Sequence, residues 1–154
     1  MHSVAEILVC HPLIAALLGW FSAQALKIPI YYLVERKWDF RRFFGAGGMP
    51  SSHTAMVIAT ATMIGALAGF NSPVFAVSVV LAFIVMYDAT GVRRETGRQA
   101  EIINQILRDV LINGKPISDR ELKELVGHKP IEVFGGVLVG LAVAVLYIVT
   151  LSNL

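Results

Sequence analysis

TAMVIATATMIGALAGFNSPVFAVSVVLAFIVMYDATG, residues 54–91, consists of two apolar runs joined by the short turn Asn71-Ser72-Pro73, and its first charged residue is Asp88. Each run has about the length, roughly 17–25 residues, that an α-helix needs to cross a bilayer. We therefore predict transmembrane helices at about 54–70 and 73–91. The first run is rich in Ala, Thr, Met and Gly, and small residues let helices approach closely, so we expect it at the centre of a bundle. The second run returns the chain to the side where the first began.

The composition of the whole chain is that of a membrane protein. Of its 154 residues, 56% are hydrophobic and 16% are charged, and the mean hydropathy is +0.68. Two further apolar stretches, at about 8–28 and 131–151, are long enough to span a bilayer. The sequence therefore predicts an all-α fold: an integral membrane helical bundle with about four transmembrane helices, forming a single membrane domain over residues 1–154. The polar insertion 99–127 has the pattern of two short helices before the last span.

The distribution of charge excludes one class of partner and orients the chain. The net charge is only +2, and no basic run is interleaved with aromatic residues, which argues against nucleic acid as a partner. The loops on one side of the predicted spans contain nearly all the Lys and Arg residues, whereas the turn at 71–73 contains none. By the positive-inside rule, that side faces the cytoplasm, in the plasma (inner) membrane, and both termini lie on the far side.

A polar loop, Gly47-Gly48-Met49-Pro50-Ser51-Ser52-His53-Thr54, leads into the span at 54–70. The free backbone N–H groups and the dipole at a helix N-terminus favour an anion such as phosphate. The glycines let a ligand approach the backbone, and His53 can exchange a proton near neutral pH. The alternative is that Ser51 or Ser52 only caps the helix and His53 is an interfacial residue.

A second polar stretch closes the span at 73–91. Asp88 ends this apolar run, and Arg93 and Arg94 follow within six residues. Such charges are costly in or near a bilayer and indicate a polar site. The arginine fork can donate two parallel hydrogen bonds to a phosphate. The alternative is that Arg93 and Arg94 anchor the interface and that Asp88 is a salt-bridge partner.

A third polar stretch opens the last span. His128 and Glu132 are four residues apart and can share one helical face, with Pro130 in the first turn. A carboxylate fixes the tautomer of an imidazole and stabilises its charged form, as a histidine that attacks phosphorus requires. The alternative is that Glu132 compensates the helix dipole and that His128 is a loop residue. The topology of four spans places all three polar stretches on the same side of the membrane.

Two cations elsewhere on that side are further candidates for phosphate binding. Gln24 and Lys27 lie three apart on one face near the end of the first span, which Pro29 is expected to bend or end. Lys27 either faces protein or a cavity, or extends to the interface as lysines at span ends commonly do. Among the cations of the loop 35–49, Arg42 is nearest the glycine-containing loop, and the others fit ordinary interfacial anchoring.

The three polar stretches together resemble the divergent branch of the type 2 phosphatidic acid phosphatase superfamily, relatives of the vanadium haloperoxidases. The resemblance is most specific in three segments: Gly-Gly-Met-Pro-Ser-Ser-His ending at His53, Tyr-Asp-Ala-Thr-Gly-Val-Arg-Arg ending at Arg94, and Gly-His-Lys-Pro-Ile-Glu-Val around His128. It covers essentially the whole chain.

The resemblance implies a phosphatase that acts on a lipid phosphate, with neither a metal nor another cofactor. His128 matches the nucleophile, His53 matches the residue that protonates the leaving oxygen, and Glu132 replaces an aspartate. On this basis the catalytic residues are His128, His53 and Glu132. The phosphate-binding residues are Arg93, Arg94, Ser51, Ser52, Lys27, Arg42 and Asp88.

The chain departs from the superfamily pattern at several points. Ser52 stands where the second motif has glycine, and the insertion 99–127 separates the arginine pair from His128. The first motif, Lys-x6-Arg-Pro, has no clean counterpart, and Lys27 is the candidate substitute. These departures keep an alternative open: a membrane protein that binds lipid phosphates, or serves as an assembly partner, without turnover. Haloperoxidase chemistry is a weaker third hypothesis. The expected partners are a lipid phosphate and membrane lipids, and the small-residue helix faces suit a homo-oligomer.

Overall fold

The computed structural model describes residues 9–45, 47–91, 95–97, 99–104 and 128–153. Over these residues the protein is helical and contains no β-strand. The helices are α1 (His11–Glu35), a short 3-10 helix (Phe40–Phe44), α2 (Ser52–Ala68), α3 (Pro73–Thr90) and α4 (Pro130–Ser152). The predicted all-α bundle is confirmed. Residues 99–104 are helical, and the rest of the predicted insertion up to 127 lies outside the described residues.

Four apolar helices correspond to the four predicted spans. Those that begin at His11, Pro73 and Pro130 are long and apolar enough to cross a membrane. α2 is equally apolar but has 17 residues; at ~1.5 Å per residue it extends about 25 Å, slightly less than the ~30 Å hydrocarbon core. α2 packs against α1, α3 and α4. The shortest apolar helix is therefore the central one, as its small residues predict.

The end of α1 differs from the prediction. The helix continues through Pro29 to Glu35, beyond the expected end near residue 28. A proline inside a helix removes one backbone hydrogen bond, but Pro29 is exposed and the later turns have other support. The backbone N–H of Arg36, in the left-handed region at φ 55°, donates to the Tyr32 carbonyl at 2.9 Å. The Tyr32 ring also stacks on Trp38, with centroids 4.4 Å apart.

Very small residues bring α1, α2 and α4 together. A Cβ atom built on Gly19 of α1 would lie 2.9 Å from the Ala55 carbonyl oxygen of α2, and one built on Gly140 of α4 would lie 2.6 Å from the same oxygen. Both helices thus meet the α2 backbone at Ala55, which is the close packing that small residues permit in membrane bundles. Farther along the bundle, the buried core continues through Met63 and Ala144.

The helices gather their buried polar groups at one end. α2 and α3 form a hairpin, so the start of α2 and the end of α3 lie at the same end of the bundle. In the turn between them, the Ser72 hydroxyl accepts a hydrogen bond from the backbone N–H of Phe75. The buried polar side chains near the start of α2, the start of α4 and the C-terminal half of α1 are Gln24, Lys27, Ser51, Ser52, Thr54 and His128. Buried polar groups in a membrane bundle mark a functional site unless another role is evident.

Candidate active site

The loop before α2 is built to present the first turn of that helix. Gly48 has φ +89°, a backbone conformation that side chains other than glycine rarely adopt. Ser51 is the N-cap: its hydroxyl accepts the Thr54 hydroxyl at 3.0 Å and, more weakly, the Thr54 backbone N–H at 3.4 Å. The capping role considered for Ser51 is therefore observed. Ser52 and His53 follow in the first turn; Ser52 is buried, and so is the Nδ1 atom of His53.

The start of α4 holds a histidine and a carboxylate in direct contact. The side chain of His128 is 4% exposed, and its Nδ1 lies 2.8 Å from Oε2 of Glu132. The same oxygen accepts the backbone N–H of Lys129 at 3.2 Å. Glu132 thus caps α4 and orients the imidazole, which combines the two roles that its sequence position suggests. With Nδ1 engaged, Nε2 is the ring nitrogen left for chemistry.

Backbone hydrogen bonds join the three polar stretches. The N–H of Ser51 donates to the Glu132 carbonyl at 2.9 Å, and the N–H of His128 donates to the carbonyl of Ala89 at 3.0 Å. Asp88, the residue before Ala89, lies half-buried in the last turn of α3. The two histidine-bearing helix starts and the end of α3 therefore meet. One detail differs from the expected free N–H groups at this helix start: the Ser51 N–H is already bonded within the protein.

Glycines in α4 allow this approach, and sequence reasoning did not assign them to the site. A Cβ atom on Gly136 would lie 2.5 Å from the Ser51 carbonyl oxygen and 2.8 Å from Cβ of Thr54. A Cβ atom on Gly135 would lie 3.1 Å from the Met49 side chain. The signal was present, because Gly136 and Gly140 form a small-xxx-small pair of the kind that brings membrane helices together.

Lys27 is turned inward toward this end of the bundle. Its side chain is 2% exposed, and Nζ donates a hydrogen bond of 2.7 Å to the carbonyl of Gly45. Of the two alternatives for Lys27, the inward position is observed. Gln24, one turn earlier, is 5% exposed, and its Oε1 has no hydrogen-bond partner among the described residues.

The described contacts do not bring two groups of predicted phosphate ligands to the site formed by His128, Glu132 and the start of α2. Arg42 lies on the short 3-10 helix, where it pairs with Asp39 at 3.5 Å and its guanidinium stacks 4.3 Å from the Tyr31 ring centroid. These contacts hold it against the end of α1. Arg93 and Arg94 lie outside the described residues. Within the described part of the chain, no group of three or more His, Cys, Asp or Glu side chains is placed to hold a metal.

Comparisons with known proteins show the family of the chain. Residues 8–143 match the family model described as the Divergent PAP2 family. The chain is similar to the uncharacterized membrane protein YuiD of Bacillus subtilis (strain 168), with 42% identity over 146 residues that cover 88% of this chain and 92% of that protein. No solved structure matches the chain. The family match spans both histidines and Glu132, and with the apolar helices it leads to one conclusion: the chain is an integral membrane protein that belongs to the divergent PAP2 family.

Proposed function

We propose that the protein is a membrane-embedded lipid phosphate phosphatase that hydrolyses a phosphomonoester through a phosphohistidine intermediate. The observation that carries this proposal is the pair of the buried His128 and the partly buried Glu132, 2.8 Å apart, beside the helix start that bears His53. A protein that only bound phosphate would need positive charge, but it would need neither an oriented imidazole nor a second histidine. Positive-inside topology favours a site at the cytoplasmic face of the plasma (inner) membrane.

The first step transfers the phosphoryl group to the protein. Nε2 of His128 attacks phosphorus while the proton on Nδ1 stays hydrogen-bonded to the Glu132 carboxylate. The bond between phosphorus and the lipid oxygen breaks, and His53 donates a proton to that oxygen, which leaves as the lipid alcohol. Glu132 stabilises the positive charge that develops on the imidazole.

The second step releases inorganic phosphate. A water molecule attacks phosphorus, His53 takes a proton from that water, and the phosphorus–nitrogen bond to His128 breaks. Both steps require stabilisation of the negative oxygens around phosphorus. We assign that role to Lys27, to the N–H groups of Ser52 and His53, and to Arg93 and Arg94. Arg42 and Asp88 stay predictions from the sequence: the described contacts hold Arg42 against the end of α1, and a carboxylate at Asp88 cannot itself stabilise negative phosphate oxygens.

The test is phosphate release by purified protein from a panel of lipid phosphates, with histidine variants run in parallel. We expect His128→Ala to abolish turnover, His53→Ala to slow it about 10²–10⁴-fold, and vanadate to inhibit. His11→Ala is the matched control, because His11 bonds to Tyr147 and takes no part in the site. Release that is unaffected by His128→Ala would remove the assignment of the nucleophile.

One alternative function is supported by a specific observation. The Ser51 N–H and the Lys27 ammonium are both already bonded to backbone carbonyls, at 2.9 and 2.7 Å. The Ser51 N–H is therefore not available to a phosphate, and Lys27 has one of its three N–H donors in use. A protein that binds lipid phosphates without turnover, or that assembles with a partner, has no transition-state charge to stabilise, so a smaller set of donors is compatible with that role. Saturable binding of a lipid phosphate, with no histidine-dependent release from any member of the panel, would favour this alternative.

A further inference from the structure

An apolar groove lies between α1 and α3, with α2 as its floor. Its volume is about 380 Å³, within the ~300–1,000 Å³ range of small-molecule sites. Its lining includes Leu13 and Ala16 of α1, Met56, Val57 and Thr60 of α2, and Leu81 of α3. All belong to apolar helices of the bundle, and Leu13 and Leu81 are 39% and 53% exposed, so the groove lies at the surface of the bundle.

The hydroxyl groups of the groove are already bonded, and the Cys10 thiol that also lines it is only a weak hydrogen-bonding group. The Thr60 hydroxyl donates to the Met56 carbonyl at 2.8 Å, and the Ser78 hydroxyl, which also lines the groove, donates to the Phe75 carbonyl at 2.7 Å. Both bonds lie within the helix that carries the hydroxyl. A polar ligand would therefore leave its own groups unpaired here, at a cost, whereas a hydrocarbon chain would not. The lining of the groove therefore favours a hydrocarbon chain as the bound group.

The groove continues from the face of α2 that carries His53. His53, Met56, Val57 and Thr60 stand at positions i, i+3, i+4 and i+7 of one helix, the spacing of a single helical face. In the proposed reaction His53 protonates the leaving oxygen, so the body of the leaving group lies on the His53 side of the phosphorus atom. For a lipid phosphate, the hydrocarbon chain starts on that side.

We propose that this groove holds a hydrocarbon chain of the lipid leaving group, with the phosphate above it at His53 and His128. The proposal rests on the proposed function for the position of the phosphate, and it adds that the protein recognises the lipid by a chain laid along α2. A short-chain phosphate would reach the histidines but not the groove.

The direct test is photolabelling in vesicles. Phosphatidic acid with a diazirine near the end of one acyl chain is added to phosphatidylcholine vesicles that contain the purified protein, and labelled residues are located by mass spectrometry. A matched probe carries the same chain on phosphatidylcholine. We expect the phosphatidic acid probe to label Leu13 and Leu81 about tenfold more than the matched probe does. Equal labelling by the two probes would mean bulk lipid in the groove and would overturn the proposal.

Two tryptophan variants provide the matched comparison. Leu81 and Leu138 are each 53% exposed, but only Leu81 is a groove residue. Leu81→Trp fills the groove and is expected to cut labelling at Leu13 about tenfold, whereas Leu138→Trp leaves it unchanged. Leu81→Trp should also slow hydrolysis of a long-chain lipid phosphate and spare a short-chain one. Unchanged labelling in Leu81→Trp would overturn the proposal.

The experiments distinguish an error in the groove proposal from an error in the proposed function. Phosphatidic acid labelling of the groove without phosphate release from any lipid would support the groove and reject hydrolysis. Histidine-dependent release with equal labelling by the two probes would reject the groove and leave hydrolysis standing.

Discussion

Glu132 joins two parts of the candidate site through different atoms. Its carboxylate accepts hydrogen bonds from His128 and from the Lys129 backbone, and its carbonyl accepts the Ser51 N–H. The side-chain pairing was predictable, because residues four apart on a helix face each other. The bond to Ser51 was not, since it depends on how two helices distant in sequence pack. The position of Lys27 was also open, because its acceptor, the Gly45 carbonyl, lies in an irregular loop.

Glu132→Gln separates the charge of this residue from its shape. The amide oxygen can still accept a hydrogen bond from Nδ1–H of His128, and the backbone bond to Ser51 is kept, so we expect a folded protein. Turnover should fall about 10²–10⁴-fold because the imidazolium loses its counter-charge. The measurements are kcat and the melting temperature in detergent, with Glu35→Gln, at the exposed end of α1, as the control. Wild-type turnover in Glu132→Gln would contradict the mechanism.

Lys27→Met tests whether the buried ammonium serves the substrate or only the fold. The variant leaves the Gly45 carbonyl without its donor, which should cost about 1–3 kcal/mol of stability. If Lys27 also binds phosphate, KM for a lipid phosphate should rise about tenfold or more, since hydrogen bonds to charged groups contribute about 1.5–3 kcal/mol. Lys37→Met makes the same change at an exposed position. A lower melting temperature with an unchanged KM would make Lys27 a structural residue alone.

Among the elements, α2 determines where the others lie. Its alanines and glycines predicted a central helix, and the contacts with α1, α3 and α4 confirm it. The extension of α1 past Pro29 was not predicted, because it is supported by the contact of Tyr32 with Trp38, outside the apolar span. The short 3-10 helix was also missed. There Phe43 packs edge-on against Trp20 and Phe21, with ring centroids 6.4 and 5.7 Å away, so the basic loop folds back along α1.

Gly140→Ala should separate α4 from α2. The added methyl group would lie 2.6 Å from the Ala55 carbonyl oxygen and 3.0 Å from Cβ of Ile58, and neither atom belongs to the flexible end of a side chain. We expect a loss of about 1–3 kcal/mol in stability, as for other overpacked sites, with reduced activity because the same helix pair carries both histidines. The readout is thermal unfolding in detergent. Ala142→Val, on an exposed position of α4, adds comparable volume as a control and should change little.

At the scale of the whole molecule, the two ends of the bundle differ in chemistry. One end holds the buried polar groups and histidine pair, and at the other a hydrogen bond of 3.0 Å joins His11 to Tyr147. Hydropathy predicted the helices, and the topology of four spans predicted that the polar stretches share one end. The small residues Gly19, Gly136 and Gly140 pack within the chain, so the predicted homo-oligomer would need another surface, and it stays a prediction.

Thiol labelling tests the predicted orientation. Cys10, the single cysteine, lines the apolar groove, so the test uses a variant that lacks it. In a Cys10→Ser background, Asn153→Cys, exposed at the end of α4 opposite the site, should be labelled by a membrane-impermeant maleimide in intact cells. In the same background, Lys37→Cys, in the loop on the polar side, should be labelled only after permeabilisation. The reverse pattern would place the histidines outside the cytoplasm.

The hydrogen bond from His128 to Ala89 has a consequence for how this family can change over evolutionary time. This hydrogen bond joins the end of α3 to the residue just before α4. The segment that connects the two helices therefore begins and ends at the same place. Such a connection can be lengthened, shortened or exchanged without displacing either helix.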